Sequence, residues 1–582
     1  MLKVSLYPEC FRLICDEQSR PLALPDGQDV VVHASRGDWA AVQAVVTGEE
    51  RFQLHVGTGA SFSPYEPCAL ARMECTVAGE DWPVAIRPLA LHIGDDGRRY
   101  ADAILTSDTV EVPQGQALGL WIEVSVPQDA QPGRYTGVVQ LYQHTLFEDE
   151  RLTHTLRFEI SVADVRLPAP EEHRFHLDLW QHPSNIARKH ETPLWSDAHF
   201  AVLERYVESL GALGQKCVTV IASEIPWSGQ CSYLAMDYPS NLFEYSMIRV
   251  ERDEEGKLHC DFSVLSRYID LCAKYGICEE YEVFGLINIW VHPEVGLGQV
   301  SPDFPDAIRI RCYDRADGVY RFLRKAEEIE AYIRAVEAYF QERGLIDRVR
   351  VVADEPAETQ MYFKRLENLS RIAPSFRCKT AINHAEFITE MGERVRDYVP
   401  SSTCVAEKLE KLQELRQELG GRFCWYVCCS QPYPNTFLDS PLLEARLIGP
   451  LTAYWGLDGF LRWNYTVWPE HPRERISFFA PNWRAGDTNF VYPSWSGGPL
   501  LTLRLKALRR GIEDYELIVR AKEQCGAQAV DRLWGKLLRN RDIHSLYGED
   551  KSGADSYSLD YKDYDTFKAE ILRLLEKCAK ER

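Results

Sequence analysis

Two adjacent carboxylates, Asp354 and Glu355, follow the β-branched run Val349, Val351, Val352 and precede Pro356. The run predicts a short, mostly buried strand. Pro356 has no N–H for a ladder and pushes the residue before it towards an extended backbone, so the strand is expected to stop at the pair. Neighbours on a regular strand point to opposite faces, so the two carboxylates share a pocket only where the strand ends. The same residues also read as a solvated helix start, because Asp and Glu before Pro favour one. In a pocket, such a pair points to glycoside hydrolysis. Separate carboxylates on opposite sides of the bond serve the usual retaining and inverting routes, whereas adjacent ones suit substrate assistance. There the 2-acetamido oxygen of the sugar attacks its own anomeric carbon. Asp354 is then expected to orient the acetamide, and Glu355, its pKa raised by burial and its neighbour, to be the acid and later the base.

The surroundings of such a pocket are aromatic. Trp180, Trp290, Tyr426, Trp463, Tyr465, Trp483 and Trp495 fall at or beyond the ends of candidate strands, and ten of the fourteen tryptophans lie between residues 180 and 495. Flat rings pack on sugar C–H faces while polar side chains hold hydroxyls, the mixture ligand pockets use. The candidate substrate-binding residues are therefore Trp180, His182, Trp290, His384, Tyr426, Trp463, Asn464, Tyr465, Trp483 and Asp487. Each single tryptophan also reads as core packing, and each lone histidine as a satisfied structural group. No His/Asp/Glu cluster has metal-ligand spacing, no Gly-rich loop precedes a helix to hold phosphate, and no Gly-x-Ser-x-Gly elbow occurs. Neither a metal nor a cofactor is expected.

The elements that must position these residues divide the chain. Residues 1–166 read as short alternating strands separated by Gly, Pro and Asp turns, a β-sandwich. Leu167-Pro-Ala-Pro-Glu-Glu172 is a stiff polar link. From 173 to 525, apolar runs alternate with amphipathic stretches, the pattern of parallel strands covered by helices. Eight candidate strands (175–180, 217–222, 281–289, 348–353, 378–382, 403–406, 423–428 and 459–463) are the number a (β/α)8 barrel needs, with the acidic pair closing the fourth. Residues 526–582 form a helical extension.

Composition bounds the class. A chain of 582 residues exceeds one core, and 45% hydrophobic residues suffice for globular packing. A net charge of −21 argues against nucleic acid or an anionic membrane as main partner. Neither a signal peptide nor an uncharged apolar run of about eighteen residues is seen, so no membrane span is expected. Seventeen scattered cysteines fit reduced thiols in a cytoplasm.

Several segments together resemble glycoside hydrolase family 123 and its domain-of-unknown-function 4091 relatives. These are His176-Leu-Asp-Leu-Trp-Gln-His-Pro183, Ala353-Asp-Glu-Pro356, Gly486-Asp-Thr-Asn-Phe-Val-Tyr-Pro493, Leu501-Thr-Leu-Arg-Leu-Lys-Ala-Leu-Arg-Arg-Gly-Ile-Glu-Asp-Tyr-Glu516 and Val126-Pro-x-x-Ala-x-Pro-Gly-x-Tyr-Thr-Gly137. The resemblance spans about residues 100 to 520, with Thr502 where relatives often carry Ser. It implies a β-N-acetylgalactosaminidase that works by substrate assistance, with Asp354 and Glu355 at the positions of the family's pair. The alternatives are a glycosidase of the same fold acting on a sugar without acetamide, and a carbohydrate-binding protein without catalysis. Arg504, Glu513 and Asp514 read either as anchors of the barrel's closure or as substrate contacts.

Overall fold

The computed structural model describes residues 2–581 apart from 28, 60–68, 146, 227–242, 290–297, 469–471, 473–482 and 549. Up to Arg166 it is built of strands in two six-stranded sheets. One runs in the order Lys3–Pro8, Trp39–Thr47, Ala117–Ser125, Val84–Ile93, Arg99–Ile104, Ile14–Cys15. The other runs Val31–Arg36, Arg151–Arg166, Gly133–His144, Ala69–Val77, Phe52–Val56, Thr109–Val112. Strand Trp39–Thr47 explains why alternation is weak in part of this region. Its Ala40, Val42, Ala44 and Val46 enter the core shared by the two sheets. Its Trp39, Ala41 and Val45 pack instead on Leu442, Ala445, Leu503 and Ala507, from helices far along the chain. A strand covered on both faces reads as a continuous apolar run.

After the 3-10 turn Pro170–Glu172, eight parallel strands alternate with helices: β1 (His176–Leu179), β2 (Cys217–Ile221), β3 (Glu280–Phe284), β4 (Val349–Ala353), β5 (Arg377–Ile382), β6 (Asp397–Pro400), β7 (Cys424–Tyr426) and β8 (Gly459–Arg462). Strands β2 to β6 form one sheet in sequence order, and β1-β8-β7 a second. Single parallel bridges, Leu177–Gln215 on one side and Tyr398–Phe423 and Ser401–Tyr426 on the other, link the two. The strands are buried along nearly their whole length, as a helix-covered parallel sheet requires.

Seven of the eight expected strands lie within a few residues of their expected places. The sixth does not. Residues 403–406 belong to helix Ser402–Leu419, and the strand is Asp397–Pro400. The side chain of Ser401 accepts a hydrogen bond from the Cys404 N–H and caps that helix, so the β-branched Thr403 and Val405 fall in its first turns. Pro400, which discourages a strand reading, pairs with Ile382 at the very end of the strand, a position proline tolerates.

The strands enclose a charged cluster foreign to an apolar core. Lys379 on β5 donates to Asp178 of β1 at 2.6 Å and Glu280 of β3 at 2.8 Å, and lies 2.7 Å from Glu282. All four are buried. Burial, then the Asp178 charge, pushes the Glu282 carboxyl far up; burial opposes ionisation of Glu280 too, but Lys379 holds it low. His176, Cys217 and Glu280, and likewise Asp178, Cys217 and Glu282, bring metal-ligand atoms within 4.8 Å of one another. These donors come from different strands, so sequence spacing could not show them; the Lys379 ammonium already supplies a cation among them.

Helices Leu442–Trp455 and Leu503–Cys525 cross at two glycines: a Cβ at Gly449 would lie 1.7 Å from the Gly511 carbonyl oxygen. The last helix, Tyr561–Glu581, returns to the N-terminal sheets, where Lys568 lies 2.8 Å from Asp38. Among the described residues, no helix is long and apolar enough to cross a membrane.

Candidate active site

Strand β4 ends at Ala353, and Asp354 and Glu355 follow it, both half-buried. The extended backbone expected at Glu355 is not found: its φ is +41°, in the left-handed region that costs a non-glycine residue roughly 1–2 kcal/mol. Local bonds hold it there. The Glu355 N–H donates to Ala381 O on β5 at 3.2 Å, the Tyr426 hydroxyl donates to Oε1, and Asn383 Nδ2 donates to Oε2 at 3.1 Å. The turn breaks the strand's alternation, the condition for two consecutive carboxylates to reach one pocket. Burial raises the Glu355 pKa, against the opposing hydrogen bond from Tyr426 and the charge of His384. A carboxyl whose pKa is raised holds its proton more readily than a free one, the direction an acid catalyst needs.

Beside Glu355 opens a pocket of about 220 Å³, lined by Asn288, Ile289, Ala357, Glu358, Met361 and Arg365. Asn288 is a second left-handed residue, with φ +51°. Its Nδ2 donates to the Asp354 carbonyl at 2.8 Å, its Oδ1 accepts from Arg365 at 3.1 Å, and its N–H donates to Asp306 at 2.9 Å. Arg365 also pairs with Asp306 at 3.2 Å. Burial lifts Asp306 to about 6 despite Arg365, so the network fixes the carboxylate-bearing turn from behind.

The expected binding residues fall into three places. Tyr426 and His384 stand at Glu355. His384, half-exposed, sits at the position just before helix Ala385–Met391, with no capping hydrogen bond from its side chain. A second group gathers around Asp487, which pairs with Arg462 at 2.9 Å; the Asn464 side chain donates to the Asp487 carbonyl, and the indole N–H of Trp463 bears on the carboxylate. Trp463 and Trp483 face each other at 6.4 Å. Burial raises Asp487 to about 6. Arg462, the partner of Asp487, also donates to the carbonyl of Val427, the residue after the Tyr426 that bonds Glu355. The third set lies in the interior. Trp180 is 1% exposed and edge-on to Phe284, Tyr465 bonds Ser209 at 2.5 Å, and His182 is 2% exposed, with burial pushing its pKa down to about 3. Trp290 lies outside the described residues. Asn383, Asn288 and Arg365 were not anticipated. Asn383 stands next to His384 at the end of β5, and that polar step after an apolar strand was the available signal.

The sequence of residues 180–520, well over half of the chain, matches the catalytic-domain model of glycoside hydrolase 123. The chain belongs to glycoside hydrolase family 123. Among solved structures it is similar to a family 123 glycoside hydrolase from Clostridium perfringens, described for glycolipid glycan hydrolysis, at 19% identity over 100% of this chain and 98% of that one, with a TM-score of 0.72. A β-D-glucuronidase of Dictyoglomus thermophilum matches far more loosely, at 11% identity over 84% of this chain and 67% of that one, with a TM-score of 0.28. No curated protein sequence matches.

As a member of family 123 the protein is a glycoside hydrolase with a carbohydrate substrate, and Arg504 to Glu516 have a defined place in it. Arg504 lies 2.9 Å from Asp102, Arg510 reaches Glu9 and Asp38, Glu513 accepts from the Trp39 indole at 2.8 Å, and Asp514 pairs with Arg446 at 2.8 Å. Glu516 accepts from the Arg174 and Phe175 N–H groups at 2.7 and 2.8 Å. This helix bolts the N-terminal sheets to the catalytic domain; none of these side chains lines the pocket at Glu355.

Proposed function

We propose that this family 123 hydrolase is a β-N-acetylgalactosaminidase that uses the acetamide of its own substrate. The acetamide oxygen bonds to the anomeric carbon as the bond to the leaving oxygen breaks. Glu355 gives that oxygen its proton, and Asp354 steadies the positive charge arising on the acetamide nitrogen. Water then attacks the anomeric carbon, loses its proton to Glu355 and reopens the ring with retained configuration. The observation that carries this reading is the left-handed turn at Glu355, which breaks the strand's alternation at the acidic pair, with burial raising the pKa of Glu355. Consecutive residues are poorly placed to flank a glycosidic bond from opposite sides, as the two-carboxylate routes require. We read the linked parallel sheets as one closed (β/α)8 barrel over residues 173–525, the N-terminal sheets as a sandwich over 1–166, and 526–582 as its helical extension. The aromatic residues Trp463 and Trp483, with Tyr426, His384, Asn464 and Asp487, would hold the sugar and its neighbours. A glycolipid glycan, named for the Clostridium perfringens enzyme, is the substrate class we extend to this chain. Every described cysteine is a free thiol, which supports a reducing cytoplasm.

Aryl β-N-acetylgalactosaminide, β-N-acetylglucosaminide and β-galactoside, offered to wild type and Asp354→Asn, test the reading. The first is expected to be turned over best, with a loss of about 100-fold or more in Asp354→Asn. A thiazoline mimic of the cyclised acetamide is expected to inhibit. Equal turnover of the β-galactoside without thiazoline inhibition would assign a glycosidase that does not use the acetamide.

A further inference from the structure

A second pocket, of about 340 Å³, lies where the N-terminal sheets meet the hairpin formed by Tyr492–Pro493 and Pro499–Leu500. It shares no lining residue with the pocket at Glu355. At the hairpin tip Trp495 is 88% exposed, among the most exposed large apolar side chains of the described chain. Beside the pocket, an exposed indole offers a flat apolar face to a ligand seated there. Deeper in, the His92 ring stacks on Tyr492 at 4.0 Å and 13°, and the Tyr492 hydroxyl is tied to Asp102 at 3.0 Å. His92 is 8% exposed, yet its Nε2 has no hydrogen-bond partner among the described residues. A buried ring nitrogen without a partner is costly, and a bound hydroxyl would recover that cost. Burial pushes His92 down to about 4, so the ring is neutral near pH 7 and meets a hydroxyl rather than an anion. Among the described residues the rest of the lining is apolar or hydroxyl-bearing (Thr106, Ser107, Ser494, Ser496), with no Lys, Arg, Asp or Glu. Such a lining offers a phosphate or carboxylate no counter-charge. A flat ring, a neutral polar group at depth and hydroxyls at the rim are the chemistry of an uncharged sugar.

We infer that this interdomain pocket is a second saccharide site, which takes one neutral sugar residue of a glycan away from the bond that is cut, with Trp495 as its platform and His92 Nε2 as its polar anchor. The inference rests on the family's carbohydrate chemistry and not on which sugar is cleaved. Isothermal titration of the full chain with galactose, N-acetylgalactosamine and lactose tests it, using wild type, Trp495→Ala, His92→Phe and Asp354→Asn. His92→Phe keeps the stack on Tyr492 and removes the nitrogen. At least one of these sugars is expected to bind about ten-fold or more weakly to Trp495→Ala and to His92→Phe, with affinity kept in Asp354→Asn. Trp495→Ala is expected to match wild type in melting temperature, since the side chain is exposed, so its result stands even if His92→Phe folds poorly. Equal affinity in wild type and Trp495→Ala would overturn the inference. So would a wild type that binds none of the three but forms a dimer that Trp495→Ala dissolves. Loss of turnover on every aryl glycoside, with Trp495-dependent binding intact, would overturn the catalytic reading and leave this one standing.

Discussion

Glu355 is held by more bonds than its neighbours in sequence would suggest. Its backbone is strained; the Ala381 carbonyl accepts from its N–H, and Tyr426 and Asn383 donate to its two carboxylate oxygens. Strain that surrounding bonds over-determine is a mark of function rather than of error in folding. Tyr426 has a specific part: its hydrogen bond lowers a pKa that burial raises. Tyr426→Phe is therefore expected to raise the Glu355 pKa further and move the alkaline limb of the pH–rate profile to higher pH, with a loss of rate on the order of ten-fold or more from the misplaced acid. A limb that stays put or moves to lower pH would show that another group sets it. At this scale the acidic pair was legible, because a β-branched run stopped by proline is a local pattern. Its geometry was not, since the left-handed turn depends on Ala381, Asn383 and Tyr426 from other strands. Trp180 and Tyr465 were expected at the sugar and lie buried in the interior. A large aromatic just past a strand end faces either the pocket or the helices, and here β1 and β8 turn these two inward.

The strands place the chemistry at one end and bury a charged cluster among them. Lys379 donates to Asp178 and Glu280 and lies against Glu282, whose carboxyl burial pushes up, so replacing it strips the ammonium from the buried Asp178 and Glu280. Breaking a buried pair by removing one partner costs about 3–5 kcal/mol. Lys379→Met is expected to lower the urea midpoint by at least that equivalent at pH 7, or to prevent folding. Unchanged stability would mean that the carboxylates are already neutral. The cluster was not legible, because its members sit at alternating positions of strands up to two hundred residues apart. Most strands were legible from apolar runs between helical periods. Strand β6 was not, because Pro400 hid its end and the capped helix after it begins with β-branched residues.

In the whole molecule, the N-terminal sheets, catalytic domain and last helix are joined by buried ion pairs along helix Leu503–Cys525. The sequence showed the segment as a motif but not its direction, since Asp102 and Glu9 lie some four hundred and five hundred residues upstream of their arginine partners. Burial would raise Asp102, but Arg504 and then Arg12 hold it below the usual carboxylate range. Its stabilising contribution is thus fully present above its unfolded pKa near 4 and is lost as pH falls through the lower folded value. Arg504→Met is expected to cost about 3 kcal/mol at pH 7, because Arg12 remains as a partner at 3.7 Å, with the difference from wild type shrinking below about pH 4. A difference that is constant with pH would place the loss in packing instead. The central claim is that Glu355, turned into the pocket by its left-handed backbone, is the acid and base of a family 123 hydrolase. The measurement that meets it most directly is kcat/KM of Glu355→Gln on an aryl β-N-acetylgalactosaminide across the pH range. The expected result is a loss of about 100-fold or more together with disappearance of the alkaline limb that wild type shows. A variant with wild-type rate and an unchanged profile would contradict it.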